Sequence, residues 1–217
     1  MRNLLLLIAL LTSCNVFAQN KQATLYLRNG EVLKGLARMK ADQTVKFRKD
    51  KESEPVIYNF RTLRGLKINK TLSKREDVIL LGSFTTYNKD FYTFHYKMIK
   101  KKRYTTKPKL LRLLVDGKMA LYSEVSAGAP RMSSSGTAMG GTAGAPVERF
   151  YICNENQDFV TYFLSDGGGI GKSFKKAALA VFKDYPKIAD RIKDKTYKRR
   201  DIVEMLEDFN RIYGSRK

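Results

Sequence analysis

Ala23-Thr24-Leu25-Tyr26-Leu27-Arg28-Asn29-Gly30-Glu31-Val32-Leu33-Lys34-Gly35-Leu36 is the stretch that decides the fold. Ala23, Leu25 and Leu27 fall on one side of a pleated strand and Thr24, Tyr26 and Arg28 on the other, the period of a half-buried strand. Asn29-Gly30 tolerates the positive φ values of a tight hairpin, and Val32 to Leu36 supply the returning strand. Outward from this hairpin the period persists. Val45 and Phe47 mark a third strand, Val56, Tyr58 and Phe60 a fourth, and Leu66 and Ile68 a short fifth. Short strands joined by tight turns at this spacing predict a small, strongly bent β-barrel or half-barrel.

A second β-rich stretch follows. Val78-Ile79-Leu80-Leu81 is an apolar run suited to a buried strand. Tyr92, Phe94, Tyr96 and Met98 then alternate with Thr93, His95 and Lys97, which predicts a strand with one aromatic face. Leu110 to Val115 and Met119 to Tyr122 flank Asp116-Gly117, a second hairpin dipeptide. Phe150 to Ile152 and Phe159 to Leu164 read as a last pair. Residues 126–147 are almost entirely Ser, Gly, Ala, Thr, Pro and Met. That composition buries too little apolar surface to offset its ordering entropy, so a flexible loop inserted in a hairpin is expected there.

The tail is helical. Ser173 is a good N-cap for a helix carrying Phe174, Ala177, Ala178, Val181 and Phe182 on one face. Pro186 suits the first turn of a short helix with Ile188, Ala189 and Ile192. Ile202, Val203, Met205, Leu206, Phe209, Ile212 and Tyr213 repeat at helical spacing over about 200–213. These apolar stripes need a partner, and the preceding sheet is the available one. The predicted class is α+β and mostly antiparallel: a leader over 1–18, a barrel-like unit over 19–75, an antiparallel unit over 76–165, and helices over 166–217 packing on the sheet.

The leader reading rests on Arg2, the apolar run Leu4 to Leu11 and the small residue Ala18. A single positive charge, a short apolar core and a small residue at its end are the parts of a signal peptide. The run is well short of the about 20 residues that a spanning helix needs. Cleavage after Ala18 leaves a soluble periplasmic or secreted protein starting at Gln19. Leu11-Thr12-Ser13-Cys14 resembles a bacterial lipobox instead, in which an acylated Cys14 anchors the protein to the outer membrane; an uncleaved anchor is the third alternative. After cleavage at Ala18 only Cys153 remains, in the apolar run Phe150 to Cys153. No intramolecular disulfide is then available, and this thiol reads as core packing.

Lys and Arg number 42 against 21 Asp and Glu, a net charge of +21. That balance favours anionic partners such as acidic polysaccharide or lipid, with another envelope protein as the further alternative. Export disfavours nucleic acid. Two clusters concentrate the charge: Lys97, Lys100, Lys101, Lys102 and Arg103, interleaved with Tyr92, Tyr96 and Tyr104, and Lys198, Arg199 and Arg200 before the last helix. Cations among aromatics suit sugar–phosphate polymers and other anions. At a helix N-terminus the second cluster sits on the positive end of the dipole, offset in part by Asp201.

Chemistry-bearing motifs are few. Asp166-Gly167-Gly168-Gly169-Ile170-Gly171-Lys172-Ser173 resembles the end of a phosphate-binding loop, but aspartate stands where the first glycine belongs and would repel the phosphates. His95 is the only histidine, a count that speaks against a His-based triad and a multi-histidine metal centre. His95 lies on the strand face opposite the aromatics. Asp77, Asp90, Asp116 and Asp158 all sit at turns, where Asp is common for local reasons, so no carboxylate pair stands out. The expectation is a protein with no catalytic, metal or cofactor-binding residues.

Two resemblances complete the reading. The spacing of Asn29-Gly30, Gly35 and Val45-Lys46-Phe47 is similar to small SH3-like and Sm-like barrels over about a quarter of the chain. The order of leader, β unit, Leu113-Leu114-Val115-Asp116-Gly117-Lys118-Met119-Ala120-Leu121-Tyr122, Arg149-Phe150-Tyr151-Ile152, and a tail with Ser173-Phe174-Lys175-Lys176-Ala177 and Phe182-Lys183-Asp184-Tyr185-Pro186 resembles a loose group of exported bacterial cell-envelope proteins. It implies no activity and transfers no catalytic residue. Tyr185 stands where such a tail would carry a cysteine. The combined expectation is an exported, non-enzymatic envelope protein whose basic surface serves interaction or attachment. Its alternative is a binding module for an anionic polymer or lipid acting through the 97–103 cluster.

Overall fold

The computed structural model describes residues 20–69, 91–100, 106, 108–128, 144–155, 157–166 and 173–214. The readings made on the leader with Cys14, on 78–81, on Lys101, Lys102 and Arg103, and on 167–172 lie outside the described residues. The fold is α+β and mostly antiparallel. The chain divides into two compact units, residues 1–69 and 70–217.

In the first unit, strands β1 (Lys21–Leu27), β2 (Val32–Met39), β3 (Val45–Arg48), β4 (Val56–Tyr58) and β5 (Leu63–Asn69) pair antiparallel in the order β5-β1-β2-β3-β4. Ala23, Leu25, Ala37, Val45, Phe47, Leu63, Leu66 and Ile68 are buried, so the period-two pattern does set the inner face. At the β1–β2 turn, Gly30 takes φ +91° and Asn29 Oδ1 accepts the Glu31 N–H at 3.0 Å. Gly35 answers a different need. A Cβ there would lie 2.3 Å from the Arg48 carbonyl oxygen and 2.8 Å from the Phe47 ring, so only glycine lets the end of β3 approach β2 this closely. The fourth strand is shorter than its apolar pattern predicts. Asn59 Oδ1 accepts the Arg61 N–H and the Asn59 carbonyl accepts those of Thr62 and Leu63, which turns the chain and leaves Phe60 exposed outside the strand.

In the second unit, β6 (Phe91–Lys100), β7 (Lys109–Val115), β8 (Met119–Gly128), β9 (Gly144–Asn154) and β10 (Phe159–Asp166) form an antiparallel meander. An odd number of alternating strands leaves the last parallel to the first, and β10 does pair parallel to β6 through Phe159↔Met98, Val160↔Ile99 and Thr161↔Lys100. That pairing closes the meander into a barrel, where the sequence suggested only an antiparallel sheet. The row Thr93–Leu113–Tyr122–Tyr151–Tyr162 crosses all five strands, yet Thr161 beside its end is partnered by Lys100, at the far end of β6 from Thr93. This stagger is the strand tilt that closure requires.

Both faces of the meander are buried. Ile99, Leu111, Ala120, Tyr122, Tyr151, Cys153 and Val160, with contributions from every strand, fill the interior. The other face of β7 to β10 packs against helices α1 (Phe174–Phe182), α2 (Pro186–Lys193) and α3 (Ile202–Tyr213) through Leu121, Phe150, Leu164, Phe182, Ile188 and Phe209, among others. Two bulges serve this arrangement. Register slips between Leu113 and Val115 and between Tyr162 and Leu164, so Leu114 and Val115, and likewise Phe163 and Leu164, reach the helix-facing core as consecutive residues. The β8–β9 hairpin also runs further than its composition suggests. Ser126 pairs with Val147 and Gly128 with Gly144, inside the segment read as loop, because ladder bonds come from the backbone and need no apolar side chain.

Helix ends are held variously. Ser173 stands at the N-cap of α1, but the hydroxyl makes no cap bond; its carbonyl accepts the Ala177 N–H instead. Pro186 opens α2, as its fixed φ favours. A short 3₁₀ turn, Arg199–Asp201, leads into α3. No helix among the described residues is long and apolar enough to cross a membrane.

Candidate functional site

The first basic cluster begins on β6, whose alternation points Tyr92, Phe94 and Tyr96 away from the barrel interior and His95, Lys97 and Ile99 toward it. Lys97 is half-buried. Its Nζ donates to the Gln157 carbonyl and stands 5.5 Å from the centre of the Tyr122 ring. The Tyr122 hydroxyl lies 3.1 Å from His95 Nδ1. Lys97 therefore ties β6 to the β9–β10 turn. Two residues on, Lys100 is exposed and its Nζ lies 5.0 Å above the Phe159 ring, a solvent-facing cation on an aromatic platform.

Cys153 shares this end of the barrel. Its Sγ donates toward the carbonyls of Asn154 (3.1 Å) and Gln157 (3.3 Å). Burial pushes the thiol pKa up, with Lys97 acting in the opposite sense. A thiol held neutral is a packing group rather than a nucleophile. Nearby, Glu124 accepts from Lys109 Nζ at 2.5 Å and from the Tyr151 hydroxyl at 3.0 Å. Burial first, and then Glu124, raises the Tyr151 pKa well above its usual range, so this phenol stays a hydrogen-bond donor.

The second basic cluster lies at the entry to α3. Lys198 and Arg200 are exposed and Arg199 is half-buried. Asp201 meets two of them, accepting the Lys198 backbone N–H at 2.9 Å and lying 3.6 Å from Arg200 Nε. The two clusters thus occupy different elements: Lys97 and Lys100 sit on a barrel strand, whereas Lys198, Arg199 and Arg200 sit on the connection between helices. Lys101, Lys102 and Arg103 lie outside the described residues, as does Cys14. No group of three or more His, Cys, Asp or Glu side chains is placed to hold a metal ion among the described residues.

The structure also assembles polar sites that sequence reasoning did not single out. Asp208 on α3 accepts from Arg191 on α2 at 2.8 Å, from the Tyr197 hydroxyl and from Arg211. The hydrogen bonds from Tyr197 and Arg211 hold its carboxyl below the ordinary range. In the first unit, a cleft of about 370 Å³ is lined by Gln22, Thr24, Lys34, Lys49 and Asn69 over a floor that includes Gly35. Thr24 faces Lys34 across the β1–β2 ladder, as Gln22 faces Leu36; the alternation that buries Ala23 and Leu25 was the available sign that these side chains share the outer face.

No family model, curated protein or solved structure matches this chain.

Proposed function

We propose that the chain is an exported cell-envelope protein without enzymatic activity, attached to its surroundings by its basic surface. The observation that carries this reading is the twofold excess of cations, 42 against 21. Lys100, Lys198 and Arg200 hold theirs in solvent. Three interior groups with chemical potential are engaged in structure: Lys97 on a carbonyl, Cys153 as a neutral buried thiol, Tyr151 on Glu124. Such a surface attracts anionic polymer or lipid over roughly a Debye length, about 8 Å at physiological salt. A second reading, binding of an anionic envelope component through the 97–103 cluster, is favoured by Lys100 over Phe159, since a cation on an aromatic face suits sugar and phosphate together.

The test is co-sedimentation of the mature chain with phosphatidylglycerol vesicles and retention on an acidic polysaccharide column, each across a salt series. Attachment through charge gives binding that weakens steadily with salt and is absent on phosphatidylcholine. Affinity indifferent to salt, or equal for the neutral vesicle, overturns the reading.

A further inference from the structure

We infer that the cleft between β1, β2 and the end of β5 is a binding site for a polyhydroxylated anion, a sugar acid or sugar phosphate. The inference rests on the reading of the chain as an attachment protein for anionic partners. It assigns the specific contact to residues of the first unit rather than to the 97–103 cluster.

The chemistry of the lining selects the ligand. Lys34 and Lys49 are exposed and both line the cleft, and no carboxylate lines it among the described residues. The acid next in sequence, Asp50, is occupied in its own turn, accepting from the Ser53 backbone N–H at 2.6 Å, the Ser53 hydroxyl at 2.5 Å and the Glu52 N–H at 3.1 Å. Its pKa is lowered chiefly by those Ser53 bonds, with the adjacent Lys49 charge adding the smallest contribution. Asp50 thus spends its Oδ1 acceptor within its own turn, and the described lining of the cleft holds only cationic and neutral side chains.

The remaining lining is made of neutral hydrogen-bonding groups. Asn69 Nδ2 donates to Gln22 Oε1 at 3.3 Å, which uses one donor and one acceptor. Gln22 Nε2 and Asn69 Oδ1 are left to address hydroxyl groups, beside the Thr24 hydroxyl. Among the described residues the lining contains no aromatic ring to serve as a platform for a nucleobase, and Leu36 is its one large aliphatic side chain, too little for an acyl chain. A volume of about 370 Å³ lies in the range of small-ligand clefts, about 300 to 1,000 Å³. The shape is enforced by the backbone: Gly35 permits the Arg48–Lys49 main chain to close on β2, which is what brings Lys49 to the cleft.

The experiment is ligand-observed NMR and calorimetry on the mature chain with digalacturonate, glucose 6-phosphate, inorganic phosphate and maltose. Expected is binding of digalacturonate or glucose 6-phosphate, the stronger identifying carboxylate or phosphate as the source of charge, with maltose and inorganic phosphate at least about tenfold weaker. The double variant Lys34→Ala/Lys49→Ala should lose about tenfold or more, Lys34→Arg/Lys49→Arg should retain binding, and replacement of an exposed lysine of α1, Lys176→Ala, should leave it unchanged. Binding of the double alanine variant within about twofold of the parent, or maltose bound as tightly as the acids, overturns the assignment. If the parent holds acidic polysaccharide at low salt but binds neither small acid, the cleft assignment fails and the attachment reading stands. If it holds neither, both fail.

Discussion

Asn210 is the residue whose replacement tests the packing account most sharply. From the last turns of α3 its side chain behaves like a strand partner to the β7–β8 hairpin. Oδ1 accepts the Met119 N–H at 2.9 Å, and Nδ2 donates to the carbonyls of Met119 at 2.9 Å and Asp116 at 3.2 Å. Gly117, with φ +135°, lies beneath the amide, where a Cβ would come within 2.8 Å of it. Asn210→Ala removes all three bonds. At about 1 kcal/mol net for each, with part of the Met119 backbone left poorly solvated, the loss comes to about 2 to 4 kcal/mol. Asn210→Asp keeps the acceptor for Met119 but sets a carboxylate against two carbonyl oxygens. It should cost at least as much at neutral pH and recover in part below about pH 4, where the carboxyl gains a proton. Urea unfolding followed by circular dichroism reads the effect as a midpoint lowered by about 1 to 2 M with the slope unchanged. A shift below about 0.3 M for Asn210→Ala would mean that α3 is held by its apolar face alone and that the clamp contributes nothing.

Three further outcomes follow from the same geometry. Gly35→Ala should destabilise the first unit by about 2 kcal/mol or more, because the new methyl meets main-chain oxygen rather than a side chain that can swing away; thermal unfolding with a midpoint unchanged would refute this. Asp208 has a depressed carboxyl pKa when folded, so it adds stability above its ordinary value of 3.8 and loses that contribution as pH falls through the lower folded value; Asp208→Asn should flatten the pH dependence of stability in this acid window and leave it unaltered between pH 6 and 8. Cys153 should resist iodoacetamide at pH 8 in the native protein and react fully in urea, and rapid native labelling would contradict a buried neutral thiol.

Much of the fold is legible in local pattern. Asn29-Gly30 and Asp116-Gly117 announce two hairpins, and both glycines do take positive φ. Alternation in Ala23 to Leu27 identifies the buried side of β1, that in Tyr92 to Tyr96 the aromatic face of β6, and the Phe174, Ile188 and Ile202 stripes locate the helices. What escapes is non-local. Parallel pairing of β10 with β6 joins segments some sixty residues apart, and no short-range signal marks it. Leu113-Leu114-Val115 and Phe163-Leu164 break the period of two for a reason visible only in three dimensions, since a bulge turns consecutive side chains onto the helices. Asn210 reads in sequence as one polar residue on a helix, and nothing in it names Met119 as its partner.

The basic clusters show the same division. Charge and interleaved tyrosines were evident in the sequence, but a lysine count cannot distinguish Lys97, tied to the Gln157 carbonyl, from Lys100, which faces solvent. The cleft in the first unit has no local signature, because Lys34 and Lys49 are far apart in sequence. Strand pairing and the close approach at Gly35 bring them to one place.

The measurement that bears most directly on the central claim is the intact mass of the protein recovered from fractionated producing cells. An exported attachment protein predicts recovery in the envelope or periplasmic fraction, with a mass corresponding to a chain beginning at Gln19 or at an acylated Cys14. Recovery from the cytoplasm with Met1 in place would contradict the account.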